Sequence, residues 1–261
     1  MSELAGVFER CRAEGRAALV GYLPAGYPDR DSAQAAVAAL AGAGADIVEV
    51  GVPYTDPLMD GPVIQDAADV ALRSGFRFAD LFGCVEAARE AGAVPGVMSY
   101  WNPVLRYGPA RFAADLASAG GSGMITPDLI PEEASAWTGA SLEQGVDPIF
   151  LVAPSSTDAR LASTAAACRG FIYAASTMGV TGARASVGDG AKVLVERTRQ
   201  VSDLPICVGL GVSTAEQAAQ VAGFADGVIV GSALVAALRD DRSGSGLTTL
   251  TQELARGVRA A

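Results

Sequence analysis

Eight strand-like apolar runs alternate with helical segments at a spacing of about thirty residues, the period of βαβ units. The runs are continuously apolar rather than alternating, as strands covered on both faces must be. Together these observations predict an α/β fold, a single-domain (β/α)8 TIM barrel with an added N-terminal helix and extended loops after strands 2 and 6. A doubly wound open sheet produces a similar pattern. No low-complexity linker divides the 261 residues, half of which are apolar, so residues 1–261 read as one domain.

Leu4, Val7, Phe8 and Cys11 recur at helical spacing in an amphipathic N-terminal segment. Residues 17–26 (AALVGYLPAG) form the first buried strand; DSAQAAVAALAGAG follows as a helix, with Asp31 or Ser32 as cap and Gly42 or Gly44 as stop. The second strand runs on from Asp46, and its helices are QDAADVALRSG, ending near Gly75, and LFGCVEAAREAG, ending at Gly92. Residues 94–103 (VPGVMSYWNP) read as strand three, followed by a helix that Pro109 opens. Strand four is 122–128, with PEEASAWTGASLEQG as its helix. Strand five is 147–154, and Ser155, Ser156 and Thr157 offer caps for the helix TDARLASTAAACRG. Strand six is 170–176, strand seven 204–212 and strand eight 226–235. A glycine-rich loop, 177–190, and the helix AKVLVERTRQVS separate six from seven. STAEQAAQVAGF separates seven from eight, opened by a capping box of Ser213 and Glu216. LTTLTQELARGVRA ends the chain as a helix.

A net charge of −10 and a pI near 4.5 argue against nucleic acid or anionic membrane as the main partner, because no excess of Lys and Arg is present to neutralise phosphates. The chain has no histidine, which rules out histidine-based triads and histidine-containing metal sites. Cys11, Cys84, Cys168 and Cys207 form no CxxC pair and read as small buried residues suited to a reducing compartment. The opening segment lacks the pattern of a signal peptide, and no apolar run reaches spanning length. A soluble, cytoplasmic protein is expected.

Chemistry concentrates in DIVEVGVPYTDPLMDGPVIQ, residues 46–65. Strand alternation sets Ile47, Glu49 and Gly51 on one face and Val48, Val50 and Val52 on the other. If both faces are covered, Glu49 is buried, and a buried carboxylate needs a partner or a pKa raised toward neutrality. Pro53, Pro57 and Pro62 restrict the loop beyond it, which brings a second carboxylate, Asp60, toward the barrel mouth. Asp60 before Gly61 also suits an Asx turn. Two carboxylates in different environments divide acid and base roles, the buried one protonated and the exposed one ionised.

Three glycine clusters follow consecutive strands: GVTG (179–182), GLGV (209–212) and VGSA (230–233). Glycines let backbone N–H groups approach an anion, and this quadrant of such barrels commonly binds phosphate. A phosphate held mainly by backbone N–H groups reconciles an anionic substrate with an acidic chain.

VEVGVPYTDPLMDGPVIQ resembles the signature of the tryptophan synthase alpha subunit family, with the family's acid at Glu49 and its second carboxylate at Asp60. The resemblance extends through SYWNPVLRYG, PDL, MGVTG, VGLGV and VIVGSALV. It implies a carbon–carbon lyase of tryptophan biosynthesis that cleaves indole-3-glycerol phosphate to indole and glyceraldehyde 3-phosphate by a retro-aldol reaction, with no metal or organic cofactor. By the same matching, Tyr173 lies near the substrate, Gly182, Gly211, Gly231 and Ser232 hold the phosphate, and Thr181 anchors the closing loop to Asp60. Tyr22, Met98, Ile125 and Leu210 line the indole pocket on this match; by composition alone they are core residues.

The implied partner is the beta subunit, a pyridoxal phosphate enzyme, in an alpha2beta2 tetramer. The loop at 53–60, including Asp56, and the segment after strand three would face it. Closure of that loop and of residues 177–190 on docking would exclude water and complete the site, so the isolated subunit is expected to be slow. The chain departs from the family at Met59, where many members have a small residue, and at PDLIPEE, one residue longer than the common PDLPEE. Neither departure removes a catalytic group. A stand-alone lyase releasing free indole and a non-catalytic module activating the beta subunit are the competing readings; Glu49 and Asp60 argue against the second.

Overall fold

The computed structural model of the chain describes residues 2–175, 189–209 and 211–260. Eight parallel strands close into a barrel in sequence order. They are β1 (Ala18–Pro24), β2 (Ile47–Gly51), β3 (Val94–Met98), β4 (Gly123–Thr126), β5 (Asp147–Val152), β6 (Ile172–Ala175), β7 (Ile206–Gly209) and β8 (Gly227–Val230). Among the described residues, α1 (Glu3–Ala13) precedes β1, and α2 (Arg30–Gly42) joins it to β2. α3 (Pro62–Arg73) and α4 (Phe78–Glu90) lead to β3, and α5 (Trp101–Tyr107) and α6 (Pro109–Ser118) to β4. α7 (Ser135–Glu143), α8 (Asp158–Ala167), α9 (Asp189–Arg199) and α10 (Ala215–Ala222) follow β4, β5, β6 and β7 in turn. α11 (Ser232–Asp240) and α12 (Ser245–Arg259) come after β8.

Alternation along each strand divides the core in two. Val20, Ile47, Ile125, Ile149 and Ile229 turn into the lumen, whereas Leu19, Val48, Val50, Val97, Val208 and Val228 pack outward under the helices. α1 lies across the N-terminal end of the barrel. Its Leu4, Val7, Phe8 and Cys11 join the lumen cluster, and the Phe8 ring sits 5.7 Å from that of Phe171. The floor is therefore filled with apolar side chains, and the strand order places the loop after β2, residues 52–61, at the opposite end.

Several boundaries differ from those expected. The apolar run 94–103 leaves the sheet at Met98, and α5 begins at Trp101 with Asp128 Oδ1 accepting its N–H at 2.9 Å. Pro103 does not prevent this helix, because a first-turn N–H has no partner within a helix. Likewise 226–235 is strand only to Val230; Leu234 and Val235 prolong the apolar run because α11 buries them. An apolar run cannot distinguish a buried strand from a buried helix. PEEASAWTGASLEQG divides into a 3-10 turn, Pro131–Glu133, and α7.

Caps shift as well. Asp29 rather than Asp31 or Ser32 caps α2, accepting from the Asp31 and Ser32 N–H groups at 3.1 and 2.9 Å. Thr214, not Ser213, caps α10: it accepts from Gln217 N, while Gln217 Oε1 reaches back to the Ser213 N–H at 2.8 Å. Pro62, expected in the loop, is the first residue of α3, where its fixed φ suits a helix start. Pro109 opens α6, and Thr157 caps α8, as the sequence suggests. The loop after β6 lies outside the described residues. Among the described residues no helix is long and apolar enough to cross a membrane, and all four cysteines are free and buried.

Candidate active site

Glu49 occupies the middle of β2, on the lumen face with Ile47, and is 1 % exposed. Its Oε1 has no hydrogen-bond partner among the described residues. Burial, reinforced by the charge of Asp60, pushes its carboxyl from an ordinary 4.5 up to about 8. Of the two outcomes open to a buried acid, a partner or a raised pKa, the structure therefore takes the second.

Two tyrosines flank this acid. Tyr22 on β1 is in register with Glu49, and its ring lies across Gly51, where a Cβ would stand 2.3 Å from the Tyr22 hydroxyl. Tyr173 on β6 lies across Gly209 in the same way, at 2.6 Å. Neither glycine position tolerates a side chain without moving a tyrosine. Burial first, then the carboxylates, Asp60 for Tyr22 and Glu49 for Tyr173, push both phenols well above their ordinary range, so both stay neutral.

Asp60 sits in the loop between β2 and α3. Gln65 Nε2 donates to its carbonyl at 2.6 Å. Its side chain is not exposed, as the division of acid roles presumed, but partly buried, and burial raises its carboxyl to about 6 against a hydrogen bond from Tyr100 that lowers it. At neutral pH the two carboxyls are thus in different states, Glu49 mostly protonated and Asp60 mostly ionised.

Met98 ends β3, paired with Gly51 on one side and Ile125 of β4 on the other; Met98, Ile125 and Tyr173 belong to the lumen cluster. Leu151 of β5, paired with Tyr173, shares this layer and was not singled out from sequence, although it has the parity of Ile149. Thr181, Gly182 and Leu210 lie outside the described residues. Gly211 takes φ +69, a left-handed conformation that favours glycine. Gly231 is not the end of a strand but the N-cap of α11, and Ser232 is that helix's first residue. The first bond of α11 runs from Val235 N to the Gly231 carbonyl, so the N–H groups of Ser232, Ala233 and Leu234 have no partner within the helix.

The model of the tryptophan synthase alpha chain family matches residues 8–259. The chain belongs to the tryptophan synthase alpha chain family. Tryptophan synthase alpha chains of Mycobacterium marinum (strain ATCC BAA-535 / M) and Mycobacterium tuberculosis (strain ATCC 25177 / H37Ra) are each 60% identical to it over 258 residues, 99% of this chain and 95% of the relative. Among solved structures, M. tuberculosis tryptophan synthase matches with a TM-score of 0.95 at 60% identity, covering 99% of this chain and 98% of that one. The tryptophan synthase subunit alpha of Legionella pneumophila str. Paris matches at 0.91 with 29% identity, covering 100% of both. The family barrel survives replacement of most residues because apolar pattern and volume, more than identity, specify such a core.

Proposed function

We propose that this chain, as one barrel domain, cleaves indole-3-glycerol phosphate to indole and glyceraldehyde 3-phosphate, with Glu49 as the proton-transfer group and Asp60 as the partner of the indole N–H. Breaking the bond between the indole ring and the glycerol carbon requires a proton at ring carbon C3, loss of the proton from the adjacent hydroxyl, and stabilisation of positive charge spreading to the ring nitrogen. Glu49, protonated at neutral pH, supplies the first proton. Its carboxylate, left in a low-dielectric lumen, is then a base strong enough to take the hydroxyl proton as the C–C electrons return to the ring. The proton count closes on one residue. Asp60, ionised, opposes the charge at the ring nitrogen.

The observation that carries this reading is the pair of carboxyls, one on the lumen face of β2 and one on the loop directly after it, in opposite ionisation states. Tyr22, Met98, Ile125, Leu210 and Tyr173 are the walls we assign to the indole, with Thr181 anchoring the closing loop. Gly182, Gly211, Gly231 and Ser232 are assigned to the phosphate, supported by the helix N-terminus at Ser232.

Indole passes in this proposal to a beta subunit within an alpha2beta2 assembly. Leu58, Leu105 and Ile130, exposed by 72, 53 and 43 %, follow β2, β3 and β4 at the mouth end and offer apolar area to that partner. A cytoplasmic location fits four free, buried thiols. The deciding assay measures indole released from indole-3-glycerol phosphate with and without added beta subunit. Turnover that rises on addition supports the proposal, equal turnover alone points to a stand-alone lyase, and no turnover in either case overturns the enzymatic assignment.

A further inference from the structure

Tyr100 joins β3 to α5 and is 5 % exposed. Its phenol oxygen reaches across to the loop after β2 and accepts the Met59 N–H, next to Asp60, at 3.0 Å. Hydrogen bonding from the Tyr100 side chain holds the pKa of the Asp60 carboxyl down against the rise that burial causes. On the other side the Tyr100 ring packs against Tyr54, with centroids 5.4 Å apart, and the Tyr54 hydroxyl accepts from Asn102 Nδ2 at 3.1 Å. One side chain thus holds the loop backbone at the residue beside Asp60 and is itself braced against the first turn of α5.

We infer that Tyr100 is the positioning residue for Asp60, holding the loop backbone and the carboxyl in the geometry that meets the developing charge on the indole nitrogen. The inference rests on the lyase reading above and deepens it. Without this grip, Leu58, exposed by 72 %, and Met59 leave the loop with little apolar anchorage of its own. Among the described residues, the groups that face Asp60 electrostatically are Glu49 on β2, Tyr22 on β1, Tyr173 on β6 and Tyr100. Of these Tyr100 alone favours the ionised carboxylate, because it donates a hydrogen bond to it.

The test is Tyr100→Phe in the full chain, assayed with the beta subunit present, beside Asp60→Asn. Loss of a hydrogen bond to a charged group predicts a kcat lower by roughly ten- to a hundredfold, with little change in KM. The acid limb of the rate profile moves to higher pH, since Asp60 loses the donor that stabilises its ionised form. Substitution of 3-fluorotyrosine at position 100, which keeps the shape but makes the hydroxyl a stronger donor, moves the same limb to lower pH and keeps the question answerable should the phenylalanine variant fold poorly. A merely structural role leaves that limb in place in both proteins. If Asp60→Asn keeps near wild-type turnover, the assignment of Asp60 is what fails. If Asp60→Asn is inactive while Tyr100→Phe retains wild-type kcat and acid limb, or the fluorotyrosine limb does not move, the positioning role of Tyr100 is overturned.

Discussion

The floor and the mouth of this barrel both bury carboxylates, and they treat them in opposite ways. At the floor, Asp46 is gripped by Arg16 through two bonds of 2.8 Å, and Asp226 meets Arg199 at 3.0 Å. Asp147, turned toward the lumen at the start of β5, is the closest counterpart to Glu49: it is 6 % exposed, and its Oδ2 lacks a partner among the described residues. Burial raises its pKa too, offset in part by a hydrogen bond from Ser2 and the charge of Arg169. Among the described residues Glu49 has no such relief, and the charge of Asp60 pushes in the same direction as burial. Burial raises both carboxyls; the neighbouring charge adds to the rise at Glu49 and opposes it at Asp147.

The sharpest way to break this contrast is to remove each acid. Glu49→Gln is expected to lower kcat for indole formation by roughly 10²–10⁴-fold while substrate still binds, the range over which general acid–base groups contribute. Asp147→Asn, on the floor, is expected to leave turnover unchanged. Steady-state indole release reads both, and an active Glu49→Gln protein would remove Glu49 from the chemistry.

The same pair differs in the pH dependence of stability. A carboxyl raised from 4.5 to about 8 binds its proton more tightly when folded, so its contribution is fully present below the unfolded value and is lost as pH rises through the folded one. Between those limits the wild type loses about 1.4 kcal/mol per pH unit from this group relative to Glu49→Gln. Urea titrations of the two proteins from pH 5 to 9 should therefore converge at the acid end and separate in favour of the variant at the alkaline end. Parallel curves would contradict the raised pKa.

Glycines offer the mildest comparison. Gly51→Ala places a methyl 2.3 Å from the Tyr22 hydroxyl, and Gly123→Ala places one 2.7 Å from Leu4 Cδ1 of α1. Overpacking costs about 1–3 kcal/mol at either place. The mouth variant should also lose kcat/KM by displacing Tyr22, whereas the floor variant should lose stability alone. Denaturation midpoints and kinetics on the same two proteins separate the effects.

Strand parity alone puts Glu49 on a buried face, because a strand has a period of two and both barrel faces are covered. The helix starts at Trp101 and Ser232 were hidden for a related reason. α5 and α11 continue apolar runs begun by strands, and hydropathy does not register where the backbone turns from extended to helical. Tyr100 was hidden by this misreading, since its residue lay within an expected strand. Its target, Asp60, is 40 positions earlier in the chain.

The eightfold βα alternation, the lumen-facing acid, the second carboxylate on a proline-stiffened loop and membership of a family that shares them are all legible in the residues, because they are properties of local pattern. The state of those groups is set by tertiary packing. Closure of the strands set the desolvation of Glu49, packing of the β2 loop against Tyr100 gave Asp60 partial burial and a donor, and α1 sealed the floor so that relief reached Asp147 and not Glu49. A pKa depends on distances between groups far apart in the chain, and those distances exist only once the barrel has closed.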